Sequence, residues 1–99
     1  MRISFAETDR QKVLGSIKDA LGQRKLADML DFSVSPGSLT VTIRQLGTSV
    51  LNFSEKSVAA GLEYTLSSEK IALTHRAFKG EVTEKIIKII EKAGGQIIG

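Results

Sequence analysis

The sequence predicts an α+β domain in which a curved antiparallel sheet carries helices packed on one face. In residues 38–46, apolar and polar side chains alternate with a period of two, which is typical of a half-buried strand. After Gly80 the apolar positions change to helical spacing. This change of period favours a sheet covered by an amphipathic helix.

Length and composition favour one ordinary domain, residues 1–99. The sequence has no cysteine, which excludes disulfides, thiolate metal sites and cysteine nucleophiles. No apolar run approaches the roughly 20 residues that a membrane-spanning helix needs, and the N-terminal residues lack the hydrophobic core of a signal peptide. We therefore expect a cytoplasmic protein without a membrane span.

The chain begins with an alternating pattern that predicts a short first strand. Thr8 to Gln11 then has the spacing of a capping box, and apolar residues at helical intervals follow it. Gly22 interrupts this helical pattern, and glycine inside a helix costs about 1 kcal/mol relative to alanine. We expect either one kinked helix or two consecutive helices, at residues 8–22 and 24–31.

Four strands and a last helix are predicted for the rest of the chain. Ser35 to Ser38 forms a turn signal because it contains Pro-Gly. The four predicted strands, separated by short polar turns, are residues 38–46, 49–54, 59–67 and 70–78. The element order is therefore β-α-β-β-β-β-α.

The apolar face of the last helix is predicted to pack on the sheet. Its core positions are Val82, Ile86, Ile89 and Ile90. The strand residues expected to face them are Leu39, Val41, Leu51, Phe53, Leu62, Tyr64 and Leu73. Gly94 and Gly95 supply a stop signal, and the apolar tail that follows is expected to pack back on the sheet or to fray.

Ile87 lies off this main apolar face, about 140° around the helical wheel and beside Thr83. Either the first helix covers it, or it takes part in an interface with a partner. The tail adds Ile97 and Ile98 as further apolar surface. These four residues are the predicted interface of a homodimer, with the sheet edges as a second route to self-association.

Basic residues concentrate near the C-terminal end of the chain, whose formal net charge is +3. The residues that can face an anion are Lys70, Arg76, Lys79, Lys85, Lys88 and Lys92. Because Glu81, Glu84 and Glu91 are interleaved with them, a solvated helix flank is favoured over an anion site. Nucleic acid is not favoured as a partner, since the aromatic residues mostly alternate inward.

Side chains suited to catalysis or to cofactor binding are scarce. His75 is the single histidine, and no serine or carboxylate is placed around it by a known motif, so a structural histidine is favoured over a general base. The glycines sit at element boundaries and form no phosphate-binding loop. We assign no catalytic, cofactor-binding or metal-ligating residue and expect no cofactor.

Several segments in the second half of the chain share a pattern with a known family. They are Leu51-Asn52-Phe53, Val58 to Tyr64, Ser68-Glu69-Lys70 and Phe78 to Val82. In these segments the chain resembles the small bacterial polyhydroxyalkanoic-acid-system (granule-associated) family. The resemblance implies a bacterial, non-enzymatic protein found near polyester storage granules.

Three functions remain open from the sequence. The first is a non-catalytic binding or interaction domain, associated with polyester granules if the resemblance holds, and acting as a homodimer or on a hydrophobic surface. The second is a carrier that holds a small apolar ligand in a cavity between the sheet and the C-terminal helix. The third is a weak nucleic-acid-associated protein that uses the basic residues 70–92. An enzyme is disfavoured.

Overall fold

One curved sheet of six antiparallel strands dominates the computed structural model, which describes residues 1–22, 29–45, 47–77 and 79–98. The strands are β1 (Arg2–Phe5), β2 (Leu30–Ser35), β3 (Ser38–Arg44), β4 (Thr48–Val58), β5 (Gly61–Lys70) and β6 (Gly95–Ile97). Within the sheet they lie in the order β2-β3-β4-β5-β1-β6. The predicted α+β class with an antiparallel sheet is confirmed.

Three helices accompany the sheet, and the two long ones cover one face of it. The helices are α1 (Arg10–Leu21), α2 (Leu73–Arg76) and α3 (Lys79–Lys92). Apolar side chains from α1, α3 and the inner face of the sheet form a single core. None of the helices in the described part of the chain is long and apolar enough to cross a membrane.

The core follows from strand register and helical spacing. Ile3 lies opposite Tyr64, and Val41 lies between Phe32 and Leu51 on neighbouring strands, so one face of the sheet is apolar throughout. The helices contribute the buried residues Val13, Ile17, Ala20, Leu21, Ile86, Ile89 and Ile90. The predicted packing of the last helix on the sheet is therefore confirmed, with Val82 half-buried at its edge.

The first helix begins later than the capping box predicted. Asp9, and not Thr8, is the N-cap, and its carboxylate accepts a hydrogen bond from the backbone N–H of Gln11 at 2.9 Å. A carboxylate satisfies a free N–H of the first turn as well as a hydroxyl does, so the cap moves by one residue. Gly22 ends the helix with φ 61°, a conformation that favours glycine.

The second predicted helix, residues 24–31, is wrong at its C-terminal end. Residues 24–28 lie outside the described part of the chain, but Leu30 and Asp31 belong to β2. Leu30, Phe32 and Val34 alternate with polar residues, and this period of two lets β2 pair with β3. The helix had been predicted from the spacing of Leu26, Met29 and Leu30 in the sequence.

The predicted strand at residues 70–78 is also wrong. β5 ends at Lys70, and the short helix α2 follows, while Phe78 lies outside the described residues. Leu73, which was expected to face the core, is 77% exposed. The reason is local: the backbone N–H of His75 bonds to the carbonyl of Ala72, which turns the chain away from the sheet.

The other strands agree with the predicted segments but differ in extent. Strands β4 and β5 are longer than predicted and form a long hairpin, whereas β3 ends at Arg44 and Leu46 is outside the described residues. The apolar tail packs back as β6, with Ile97 opposite Ile3.

Candidate binding pocket

A largely apolar pocket of about 240 Å³ opens between the sheet and the N-terminal half of α3. Its apolar lining comes from the sheet, the segment after it and α3, and consists of Met1, Ile43, Leu51, Leu66, Ile71, Val82 and Ile86. Its polar lining consists of Ser49, Glu69, His75, Lys79 and Thr83. Apolar walls with a few placed polar groups are the usual composition of a small-molecule site.

The pocket exists because apolar side chains at this end of the sheet are not fully covered. Leu66, Ile71 and Val82 pack against the core but stay half-buried, unlike Ile86 at 1% exposure deeper in the same pocket. Had residues 70–78 formed the predicted strand, that strand would have extended the sheet here. Instead the chain leaves the sheet after Lys70 and passes over its end as α2.

A β-bulge brings a carboxylate to the pocket. Asn52 lies opposite Ser68, but Phe53 lies opposite Leu66, so Ser67 is an extra residue in β5. Simple alternation from Leu66 would place Glu69 on the outer face. The extra residue reverses the alternation, and Glu69 lies opposite Leu51 on the inner face, where it lines the pocket.

His75 and Ser49 form a buried hydrogen-bonded link between α2 and the sheet. The carbonyl of Gln45 can only accept, so Nε2 of His75 donates to it at 2.5 Å, and Nδ1 shares a hydrogen bond with the Ser49 hydroxyl at 2.5 Å. Ser49 Oγ also accepts from the backbone N–H of Ala72 at 2.8 Å. This network links α2 to the sheet beside the pocket.

The structure corrects the position of His75 and supplies it with a partner. The residue lies in α2 and not on a strand, and it is 8% exposed. Alternation could not reveal its contact with Ser49, which is 26 positions away. A serine and a histidine in contact resemble half of a hydrolytic site. However, Ser49 is fully buried, and both nitrogens of His75 are engaged within the protein.

An ion pair lies at the mouth of the pocket. Lys79 Nζ and Glu69 Oε1 are 2.8 Å apart, and their side chains are 52% and 35% exposed. Exposed pairs of this kind contribute at most about 1 kcal/mol. The mouth is therefore lined by charges that a ligand can displace.

The six basic residues predicted to face an anion do not converge on one site. Arg76 and Lys79 share an open groove beside the pocket, whereas Lys85 lines a different hollow with Glu81. Lys92 lies near Asp19 on another surface, and Lys70 and Lys88 are exposed. Two of the six residues, Arg76 and Lys79, thus belong to the neighbourhood of the pocket.

The four predicted interface residues lie on α3 and at the C-terminal tail. Ile87 is half-buried and lies outside the core cluster. Thr83 lines the pocket, Ile97 belongs to β6, and Ile98 is 42% exposed. Self-association through these residues stays a prediction.

A second polar cluster lies on the inner face, toward the hairpin end of β4 and β5. Arg10 Nη2 donates to Glu55 Oε1 at 2.7 Å, and the Tyr64 hydroxyl donates to Glu55 Oε2 at 2.9 Å. The Glu55 side chain is 3% exposed. Arg10 and the Tyr64 hydroxyl hold the pKa of this carboxyl below its usual value, while burial and the Glu55 carboxylate raise the pKa of Tyr64.

This cluster stabilises the fold and offers no open site. Arg10 binds both oxygens of Glu55 through Nε and Nη2, and the Tyr64 hydroxyl donates to one of them. Glu55 falls in the short polar turn predicted between the strands at residues 49–54 and 59–67. Its period-two relation to Leu51 and Phe53 was the signal that it faces inward.

No protein-family model, curated protein or solved structure matches this chain. The resemblance to the polyhydroxyalkanoic-acid-system family therefore stays a prediction. Within the described residues, no group of histidine and carboxylate side chains is arranged to hold a metal ion.

Proposed function

We propose that this protein is a non-catalytic binding domain that holds a small, mostly apolar molecule in the pocket between the sheet and α3. One observation carries the proposal: Leu66, Ile71 and Val82 leave apolar surface uncovered around one concave space. Covering apolar surface releases roughly 25 cal/mol per Å², so a molecule of matching shape gains free energy by filling this space.

The architecture supports a preformed site. The floor of the pocket consists of fully buried core residues such as Ile86, and the link between Ser49 and His75 anchors α2 beside it. A site built on packed strands and helices loses little conformational entropy when a ligand binds. This supports binding without a large rearrangement.

Catalysis is the less favoured function for the same site. A serine nucleophile must reach a substrate atom, whereas the hydroxyl of Ser49 is fully buried and already hydrogen-bonded to His75. It also accepts a hydrogen bond from the backbone N–H of Ala72. The serine and histidine thus serve to position α2.

The test is to fill the pocket from α3. Thr83→Phe places an aromatic ring in the pocket, and we expect it to weaken binding of the apolar fluorophore N-phenyl-1-naphthylamine about tenfold or more. Ile87→Phe is the matched control, because Ile87 is half-buried one turn along the same helix and is not among the residues that line the pocket.

Fluorescence titration measures both affinities, and circular dichroism establishes that both variants are folded. Equal affinity of the wild type and Thr83→Phe for the fluorophore would contradict the proposal. Equal weakening by the two substitutions would contradict it as well, since the effect would then not come from the pocket.

Three further features of the function are proposals that rest on the sequence. Association with polyester storage granules rests on the family resemblance, and a cytoplasmic location rests on composition. Homodimer formation rests on Ile87 and Ile98, which leave apolar surface on α3 and at the tail. Binding of nucleic acid gains no support, since the basic residues 70–92 are dispersed.

A further inference from the structure

We infer that the ligand of the pocket is an anionic amphiphile, namely a medium-chain carboxylate whose alkyl chain fills the pocket and whose carboxylate binds Arg76 and Lys79. The inference rests on the proposed function and adds the chemical class of the ligand. It follows from how the pocket continues, which charges lie there, and which polar atoms are already used.

The pocket continues into a charged groove. This groove, of about 400 Å³, is lined by Glu69, Ile71, Arg76 and Lys79. Three of these residues, Glu69, Ile71 and Lys79, also line the pocket, so the two spaces adjoin. A molecule with an apolar chain and a polar head can therefore occupy both at once.

The groove carries a net positive charge of one, because two cations face one carboxylate. Arg76 is exposed, and within the described residues no carboxylate forms an ion pair with it. A guanidinium presents paired donors that match the two oxygens of a carboxylate. The groove thus complements an anionic head and not a neutral or cationic one.

The inner end of the pocket suits a polar head less well than the groove does. The hydroxyl of Ser49 and both ring nitrogens of His75 are already hydrogen-bonded within the protein, which leaves the half-buried Thr83 as the other polar side chain there. A polar head buried without a partner costs roughly 1–3 kcal/mol or more, whereas the groove offers two cations. The alkyl chain therefore points inward, with the head at the groove.

The carboxylate of Glu69 competes with a ligand carboxylate for Lys79. Its carboxylate binds Lys79 at 2.8 Å in an exposed pair, which contributes at most about 1 kcal/mol. A ligand carboxylate can replace it on Lys79 while also binding Arg76. Removal of the Glu69 charge should then strengthen binding of the anion.

The test compares three ligands of equal chain length: octanoate, octan-1-ol and octylamine. By titration calorimetry at neutral pH, we expect octanoate to bind about tenfold more tightly than octan-1-ol. Arg76→Gln should remove most of this preference, so that the affinities for octanoate and octan-1-ol become similar. Glu69→Gln should increase the preference for octanoate severalfold, because it removes the carboxylate that competes for Lys79.

Lys88→Gln is the control for Arg76→Gln, because it removes an exposed positive charge from α3, the helix of Lys79, at a residue that lines neither space. It should leave all three affinities unchanged. Equal binding of octanoate and octan-1-ol would overturn the inference while the proposed function stands. Preference for octylamine would overturn it too, since Glu69 would then be the anchor. Failure of all three ligands, together with the fluorophore, would overturn both proposals.

Discussion

Replacing Tyr64 by alanine is expected to lower the free energy of unfolding by about 3–5 kcal/mol. Tyr64 is fully buried, and its ring meets that of Phe5 edge-on with centroids 6.1 Å apart. Its hydroxyl also satisfies one oxygen of Glu55. Truncation removes the ring contacts and leaves a cavity in the core beside a buried carboxylate. Urea titration measures the loss.

Tyr64→Phe is the control that separates the ring from the hydroxyl. It keeps the contact with Phe5 but leaves Glu55 one hydrogen bond short, for an expected loss of about 1–3 kcal/mol. A loss on Tyr64→Ala no larger than that on Tyr64→Phe would contradict the core position assigned to the ring.

Ile86→Ala has the second largest expected effect, a loss of about 2–5 kcal/mol. Ile86 is 1% exposed and forms part of both the core and the pocket floor. Ile87→Ala is the matched control, because this neighbouring residue is half-buried and lies outside the core cluster. It should cost less than about 1 kcal/mol.

Urea titration measures the free energy of unfolding of both variants. We expect the slope of this free energy against urea concentration to equal that of the wild type. A loss below 1 kcal/mol for Ile86→Ala, or equal losses for the two isoleucines, would mean that the buried face of α3 is assigned wrongly.

The sequence predicted well those elements in which the apolar residues keep one regular spacing along the whole element. The isoleucines of α3 and the alternation of β3 each mark a buried face, because burial on one side is what produces such a pattern. The Pro36-Gly37 pair predicted a turn equally well, and Gly37 has φ 86° in the structure, a turn conformation that favours glycine.

Short elements were predicted less well, because their residues satisfy two periods at once. Leu30 fits the end of a helix as well as the start of β2, and the pairing of β2 with β3 decided between them. Residues 70–78 alternate like a strand, yet hydrogen bonds from Ala72 and His75 turn the chain into α2. The deciding contacts include pairs that are distant in the sequence, such as Leu30 with Ile43 and Ala72 with Ser49.

The candidate pocket was anticipated only as a cavity between the sheet and the last helix. Two of its polar residues, Glu69 and His75, could not be placed there from the sequence, because their positions depend on long-range geometry. Glu69 faces inward through the bulge at Ser67, and His75 meets Ser49 across the end of the sheet. The basic residues near the pocket were anticipated in part, as Arg76 and Lys79.

The most direct test of the binding proposal is to locate an apolar ligand by NMR. With methyl-labelled protein and N-phenyl-1-naphthylamine, we expect nuclear Overhauser contacts from the ligand to the methyl groups of Leu51, Leu66 and Val82, which line the pocket. Contacts confined to Ile87 or Ile98, or the absence of contacts to the three pocket residues at saturating ligand, would contradict the account.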